Sequence, residues 1–225
     1  MRSASMVLTA LLMVSAQNGI TQDRRAPAEL PPDISGVYQA IANRDTLPGG
    51  LRNTGSPSDI VLLPAAEQQR KNVDLSADPE KMCQNIGPFR MMARDRTKIE
   101  IVPARSTIVM LFEDISHGNM RQIFMMRGHP EKLTPTWLGD SVGKWMGDTL
   151  VVDTIGFNDQ TWLNDAGAQH SDALHLVERI RPILGGRFLE YRVTAEDSKS
   201  LAKPYTYKRY YERLETDIME DICEQ

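Results

Sequence analysis

Residues 141–157 read SVGKWMGDTLVVDTIGF, which is the pattern of two short strands joined by a tight turn. Ser141–Met146 and Thr149–Phe157 are rich in Val, Ile, Thr and Trp, and Gly147 and Asp148 separate them. β-Branched and aromatic side chains favour extended backbone, whereas Gly and Asp favour turns. The segment therefore predicts a β-hairpin, and much of the remaining chain repeats its pattern.

Similar apolar runs lie on both sides of this hairpin, and turn residues separate them. They are Ile34–Ile41, Lys98–Val102, Thr107–Glu113, Met120–Met126, Ala173–Ile180, Phe188–Ala195 and Tyr205–Arg213. Because no helical crossovers separate the runs after Cys83, we expect neighbouring strands to pair antiparallel. The sequence predicts a mainly β fold, a single antiparallel β-barrel with one or two short helices, and an open sandwich is the alternative. One helix is predicted at Pro64–Lys71, where Pro precedes good helix formers.

The N-terminal residues have the three parts of a secretory signal. Arg2 is basic, Met6–Val14 is apolar, and small residues end at a cleavage site after Ala16. The apolar stretch is shorter than the ~20 residues that a membrane-spanning helix needs. We therefore expect a periplasmic or secreted protein with no membrane span in the mature chain. The predicted organisation is a signal peptide at 1–16, a flexible leader at 17–33 and the barrel domain at 34–225.

Charge and cysteine content limit the classes of partner. The chain has 26 basic and 30 acidic residues and no basic stripe, so a nucleic-acid partner is not expected. Its two cysteines, Cys83 and Cys223, would reach an oxidising compartment after export, where paired thiols form disulfides. We predict that they are joined. The alternative is a pair of free thiols that serves catalysis or metal binding.

A wider pattern surrounds the hairpin. It runs through residues 137–158, with tryptophans at both Trp137 and Trp145, and continues to Trp162 and His170. Together with the early run Ile34–Tyr38, ISGVY, it resembles a family of exported bacterial proteins. The resemblance implies a lipocalin-like, or more broadly calycin-like, antiparallel barrel with an internal cavity.

Two carboxylates are candidates for acid–base chemistry inside such a barrel. Alternate residues of a barrel strand point inward, and both Asp153 and Glu178 lie within apolar runs. An ionised group placed there must be paired or must shift its pKa. The alternatives are a structural ion pair, such as Glu178 with Arg121 or Arg192, and exposure on the outer face.

The other candidates are histidines, arginines and tryptophans. His170 and His175 are candidates for proton transfer, because imidazole has an ordinary pKa of about 6.5. His170 lies in a loop rich in hydrogen-bonding groups, so a structural role is equally open. Trp145 and Trp162 suit an apolar or aromatic ligand, or they plug the barrel. Candidate substrate-binding residues are therefore Arg121, Arg179, Trp145, Trp162 and His175.

Two other kinds of site lack their required context. Residues 139–143 fit the Gly-x-Ser-x-Gly pattern around Ser141, but a strand follows where a serine hydrolase needs a helix. The four histidines lack the short spacing of metal ligands, and no glycine motif for phosphate binding precedes a helix. We predict neither a metal nor a cofactor.

Three functions remain open, and we rank them in this order. The first is a cofactor-independent lyase, isomerase or decarboxylase acting on a small hydrophobic or aromatic molecule, for which lignin-derived biaryls are one candidate. In it, His170 with Asp153 or Glu178 moves protons, and an arginine holds a carboxylate or enolate. The second is a non-catalytic periplasmic binder of such a hydrophobic ligand. The third is a structural or envelope-assembly protein with a filled core.

Overall fold

Nine strands form a closed barrel within the described residues of the computed structural model. Each predicted run corresponds to one of them, with ends that agree within three residues. The strands are β1 (Gly36–Ala40), β2 (Lys98–Pro103), β3 (Thr107–Glu113), β4 (Met120–Phe124), β5 (Asp140–Met146), β6 (Thr149–Ile155), β7 (His175–Ile183), β8 (Phe188–Glu196) and β9 (Tyr205–Leu214). The prediction of a mainly β barrel is therefore confirmed.

The structure describes residues 30–113, 120–219 and Cys223. Those from Pro31 onward belong to one compact unit. The predicted signal peptide at 1–16 and residues 17–29 of the predicted leader lie outside the described residues. Residues 114–119, which include His117, lie outside them as well.

The strands pair in chain order, and β1 pairs with β9 to close the barrel. The pair of β4 and β5 is parallel, with Ile123 opposite Ser141, and the other pairs are antiparallel. A parallel pair requires the connection to return to the end of the sheet from which the first strand began. Residues 125–139 make this return, which the prediction of an entirely antiparallel barrel did not include.

Alternating apolar residues place the core inside the barrel. In β3, Ile108, Met110 and Phe112 are buried and their neighbours are only partly so. The same period of two holds in β6, where Leu150 and Val152 are buried. This alternation is what a strand with one face toward a core requires.

Two short helices accompany the barrel in the part of the chain that the structure describes. The predicted helix is α1 (Pro64–Asn72), which begins at Pro64 and buries none of its side chains. The second is α2 (Gly87–Met91), which the sequence analysis did not predict. Four 3-10 turns lie at Pro48–Gly50, Pro57–Asp59, Leu75–Ala77 and Leu184–Gly186. None of the helices within 30–113 and 120–219 is both long and apolar enough to cross a membrane.

Helix α2 packs against tyrosines of β9 in the core. The Tyr207 hydroxyl donates to the Phe89 carbonyl at 2.5 Å, and the Tyr211 hydroxyl donates to the Met92 carbonyl at 2.8 Å. The rings of Phe89 and Tyr207 lie 5.0 Å apart, edge to face. Burial raises the pKa of both phenols, which therefore stay protonated as donors. These contacts hold α2 against the buried tyrosines of β9.

A disulfide joins Cys83 to Cys223, as predicted from the two cysteines, with 5.6 Å between their Cα atoms. Cys83 lies four residues before α2, and Cys223 lies nine residues after β9. The bond therefore ties the C-terminal region of the chain to the segment that leads into the buried helix.

Candidate functional site

A buried ion pair lies inside the barrel. Arg121 extends inward from β4 and Glu178 from β7, and their side chains are 1% and 0% exposed. Arg121 Nη1 donates to Glu178 Oε1 at 2.8 Å, and Arg121 Nη2 donates to Oε2 of the same carboxylate. This two-pronged geometry is the strongest form of a carboxylate–guanidinium contact.

Three hydroxyl groups complete the hydrogen bonding of this pair. Arg121 Nη2 also donates to Ser141 Oγ at 3.0 Å and to Thr154 Oγ1 at 2.9 Å, and the Tyr191 hydroxyl donates to Glu178 Oε1 at 2.9 Å. Burial lowers the pKa of Arg121, but Glu178 outweighs it and the net shift is upward. Burial and the Glu178 charge raise the pKa of Tyr191 well above its ordinary value. The side chains of this ion pair are hydrogen-bonded to each other and to neighbouring hydroxyls, which agrees with the structural alternative for Glu178.

Asp153 lies on the outer face of the barrel, not in its interior. Its neighbours Val152 and Thr154 point inward, so its own side chain points outward and is 44% exposed. Asp153 Oδ1 lies 2.9 Å from His129 Nε2, and Oδ2 lies 2.9 Å from His175 Nε2. The expectation that Asp153 faces a cavity is therefore wrong.

These contacts belong to a chain of polar and ionisable groups across the outer face. His129 Nδ1 lies 2.7 Å from Asp140 Oδ1, and Arg127 pairs with the same carboxylate. The hydrogen bond from Arg127 lowers the pKa of Asp140. Burial opposes this effect, but the hydrogen bond with His129 lowers the pKa further, and the net shift is downward. Arg179 is also exposed on this outer side of the barrel. Within the described parts of the chain, no three His, Cys, Asp or Glu side chains are arranged to hold a metal ion.

His170 occupies a buried position in the loop between β6 and β7. Its Nδ1 lies 2.9 Å from the Ser171 carbonyl oxygen, which can only accept, so Nδ1 carries the hydrogen. Nε2 then accepts from the Thr161 hydroxyl at 2.6 Å. Burial lowers the pKa of His170, and the hydrogen bond to Ser171 opposes this only in part. His170 is therefore neutral at pH 7, with both ring nitrogens engaged.

Asp197 holds the next residue of this loop in place. Its carboxylate accepts from the Ser171 amide at 2.7 Å and from the Ser171 hydroxyl at 2.8 Å. Burial raises the pKa of Asp197, but these hydrogen bonds outweigh it and leave the pKa below its ordinary value. An ionised Asp197 thus fixes the carbonyl group that orients the His170 ring.

His170 and Trp162 line the same cavity of about 370 Å³. The other lining residues are mainly amides and small apolar groups: Gln69, Val73, Ala77, Pro79, Gln84, Asp159, Gln160 and Gln169. Trp162 is only 4% exposed, and among the described residues no acceptor binds its indole N–H. An indole N–H without a protein acceptor can donate to a ligand atom.

The remaining sequence-predicted residue, Trp145, lies elsewhere. It is on β5 opposite Leu150, partly buried against the core. Of the predicted site residues, Trp162 and His170 line this one cavity together. Sequence reasoning missed Thr161 and the four glutamines, because isolated hydroxyl and amide side chains have no spacing that marks a site.

No family model matches this chain, and no curated protein matches it. The resemblance to exported lipocalin-like proteins stays a prediction. Because one fold supports many functions, the barrel alone does not select among them. The function has to be inferred from the chemistry of individual side chains.

We expect His170 to make the protein less stable in mild acid. Because its pKa is lower in the folded state, the unfolded chain binds more protons between that pKa and the ordinary value of about 6.5. The free energy of unfolding should therefore fall as the pH decreases through this window and then level off. In a His170→Gln variant, urea unfolding from pH 8 to pH 4.5 should show a shallower decrease.

All carboxylates and the other histidines are shared by the wild type and this variant, so the difference between the two profiles isolates His170. Equal slopes for both proteins would show that His170 titrates normally in the folded state and is not buried as described.

Proposed function

We propose that the protein binds a small uncharged molecule, rich in hydrogen-bonding groups, in the cavity of Trp162 and His170. The observation that carries the proposal is Trp162, a buried side chain whose indole N–H has no acceptor among the described residues, in the wall of a cavity that four glutamines also line. Amides both donate and accept, so together they match hydroxyl or amide groups of a ligand. This lining favours a polar ligand over the hydrophobic one predicted from the sequence.

Several glutamines have hydrogen-bonding capacity left for a ligand. Gln69 Nε2 donates to Gln169 Oε1 at 2.5 Å, and Gln160 Nε2 donates to Asp159 Oδ1 at 2.7 Å. These bonds leave two side-chain atoms, Gln169 Nε2 and Gln160 Oε1, without a partner among the described residues. Both Gln84 and Gln160 are exposed at the cavity, so a ligand can reach them.

Binding without catalysis is favoured because the proposed proton carriers do not lie close together at one site. Glu178 is paired with Arg121 inside the barrel, Asp153 lies on the outer face, and both nitrogens of His170 are engaged. An acid–base mechanism needs its groups within hydrogen-bond reach of one substrate. The lyase or isomerase stays a prediction, and unchanged turnover of aromatic acids in a His170→Ala variant would contradict it.

We also propose that the protein acts outside the cytoplasm, in the periplasm or as a secreted protein. The disulfide supports this location, because such bonds persist in oxidising compartments, and the N-terminal sequence has the parts of an export signal. Mass spectrometry of the exported protein should find an N-terminus at Gln17. A retained Met1 would contradict export by a cleaved signal.

The binding proposal is tested by calorimetric titration with monosaccharides, disaccharides, dipeptide amides and methoxyphenols. We expect saturable binding of a sugar or amide, and about two- to tenfold weaker binding in Gln84→Ala and Gln160→Ala, which corresponds to the loss of one hydrogen bond. Gln122→Ala is the matched control, because Gln122 is an exposed glutamine on β4 outside the cavity lining.

Both test variants replace exposed side chains, so their folds should be preserved. Preferential binding of methoxyphenols, with no effect of either substitution, would favour the hydrophobic ligand of the sequence analysis. Absence of binding across the whole panel at millimolar concentration would overturn the proposal for these ligand classes.

A further inference from the structure

A second, larger cavity of about 600 Å³ is rich in arginine. Arg90, Arg94, Arg96 and Arg209 contribute to its wall. The other lining residues are short polar and acidic groups with two small apolar residues: Asn43, Ser56, Pro57, Ser58, Ala93, Asp95, Thr97, Glu113, Asn164 and Asp165. The loop before α1, the segment after α2 and strand β9 meet at this cavity.

Arg209 is buried in this wall without a carboxylate partner. Its side chain is 1% exposed, and Nη1 donates to the carbonyl oxygens of Gly55 and Lys208, both at 2.9 Å. Longer bonds reach the carbonyls of Thr54 (3.3 Å) and Ala93 (3.2 Å). Among the described residues, no carboxylate contacts Arg209 and no acceptor binds Nη2.

Carbonyl dipoles hold the Arg209 guanidinium in position but do not neutralise its charge. Its carbon atom also lies 4.8 Å from the centre of the Tyr207 ring, which adds a cation–π contact but no negative charge. A buried charge without a counter-charge is costly, and proteins normally pair it. An anion bound in the cavity would supply the counter-charge that the described residues do not give Arg209.

Arg90, the other buried arginine of this cavity, is paired with carboxylates of the same chain. Arg90 is 3% exposed and contacts Asp78 at 2.7 Å, Glu80 at 2.8 Å and Asp165 at 2.7 Å. Burial lowers the pKa of Arg90, but its hydrogen bonds with Asp78 and the nearby charges outweigh this effect, so the pKa is raised. Arg90 is therefore fully neutralised, in contrast to Arg209.

The remaining acids of the wall are also engaged. Glu113 binds Lys98 at 2.7 Å, and Asp95 accepts from the Asn43 amide at 3.2 Å. Arg96 is exposed, and no acceptor among the described residues binds its guanidinium. The cavity thus has one buried and one exposed arginine that no described carboxylate neutralises.

We propose that this cavity binds a small anion with a carboxylate or phosphate group, with Arg209 as the buried anchor and Arg96 at the rim. A planar guanidinium presents paired donors that match two oxygens of either group. The volume is in the range of small-molecule sites and suits a metabolite-sized anion. The site is separate from the cavity of Trp162, so this inference does not depend on the proposed function.

The experiment is a calorimetric titration of the full chain with inorganic phosphate and, separately, with citrate, in a chloride buffer of constant ionic strength. The proteins are the wild type, Arg96→Gln, Arg209→Gln and the control Arg187→Gln. Arg187 is exposed and pairs with Glu212 outside this cavity. We expect saturable binding of at least one anion to the wild type and to the control.

Arg96→Gln should weaken this binding about tenfold, the loss expected for one charge-assisted hydrogen bond. Arg209→Gln should abolish it. If the Arg209→Gln protein does not fold, the affinity of Arg96→Gln alone tests the proposal. Arg96 is exposed, so its replacement should leave the fold intact. Preference for phosphate or for citrate identifies the anion class.

Two results would overturn the proposal. One is the absence of saturable binding of both anions to the wild type at millimolar concentration. The other is an equal loss of affinity in Arg96→Gln and Arg187→Gln, which would indicate a diffuse effect of surface charge in place of a defined site.

Discussion

Replacing Glu178 by Gln should lower the free energy of unfolding by about 3–5 kcal/mol, because it leaves a buried charge unpaired. Arg121 would stay in the barrel interior, 1% exposed, without its counter-charge. Tyr191 would also lose the carboxylate to which its hydroxyl donates. Urea unfolding at pH 7 measures this loss directly.

An exposed ion pair supplies the matched control. Glu212→Gln removes the partner of Arg187, whose side chain is 67% exposed, and should cost about 1 kcal/mol or less. The double variant Arg121→Met/Glu178→Leu removes both buried charges and should recover much of the stability lost in Glu178→Gln. A Glu178→Gln protein as stable as the wild type would contradict a buried, charged pair.

Removing the disulfide with Cys83→Ser/Cys223→Ser should lower the free energy of unfolding by about 2–5 kcal/mol. The bond joins residues that are 140 positions apart, so it excludes many extended conformations of the unfolded chain. Thermal unfolding of the oxidised protein and of the double variant measures the difference.

A reductant gives an independent check of this prediction. It should lower the Tm of the wild type toward that of the double variant and leave the double variant unchanged. Equal Tm values for the oxidised wild type and the double variant would show that the cross-link does not constrain the unfolded chain.

The positions of the strands could be predicted from the sequence, but the pairing of β4 with β5 could not. Alternation of apolar side chains is a local signal, so each strand could be found from its own residues. The parallel pairing of β4 with β5 depends on the path of residues 125–139, which has no such local pattern. Helix α2 was missed because five residues that include Gly87 and Pro88 are too few to show helical periodicity; its stability comes from contacts with Tyr207 and Tyr211.

The positions of some candidate site residues could likewise be predicted from the sequence, and those of others could not. In β6, Leu150, Val151 and Val152 are consecutive, so the sequence does not reveal which of the two faces is inside, and Asp153 was assigned to the wrong one. Glu178 lies between Leu176 and Ile180, which are two residues away on either side and buried, so its inward direction could be inferred. Arg209 could not be found, because its surroundings come from residues about 115 and 155 positions away.

The pairing of β1 with β9 has a consequence for how the chain folds. Val37 meets Leu214, so the final seam brings together the earliest and latest strands. Contacts between such distant residues form slowly, and until then both strands present unpaired backbone edges to neighbouring molecules. A chain that stops before Tyr205 would never complete the seam, and we expect it to aggregate.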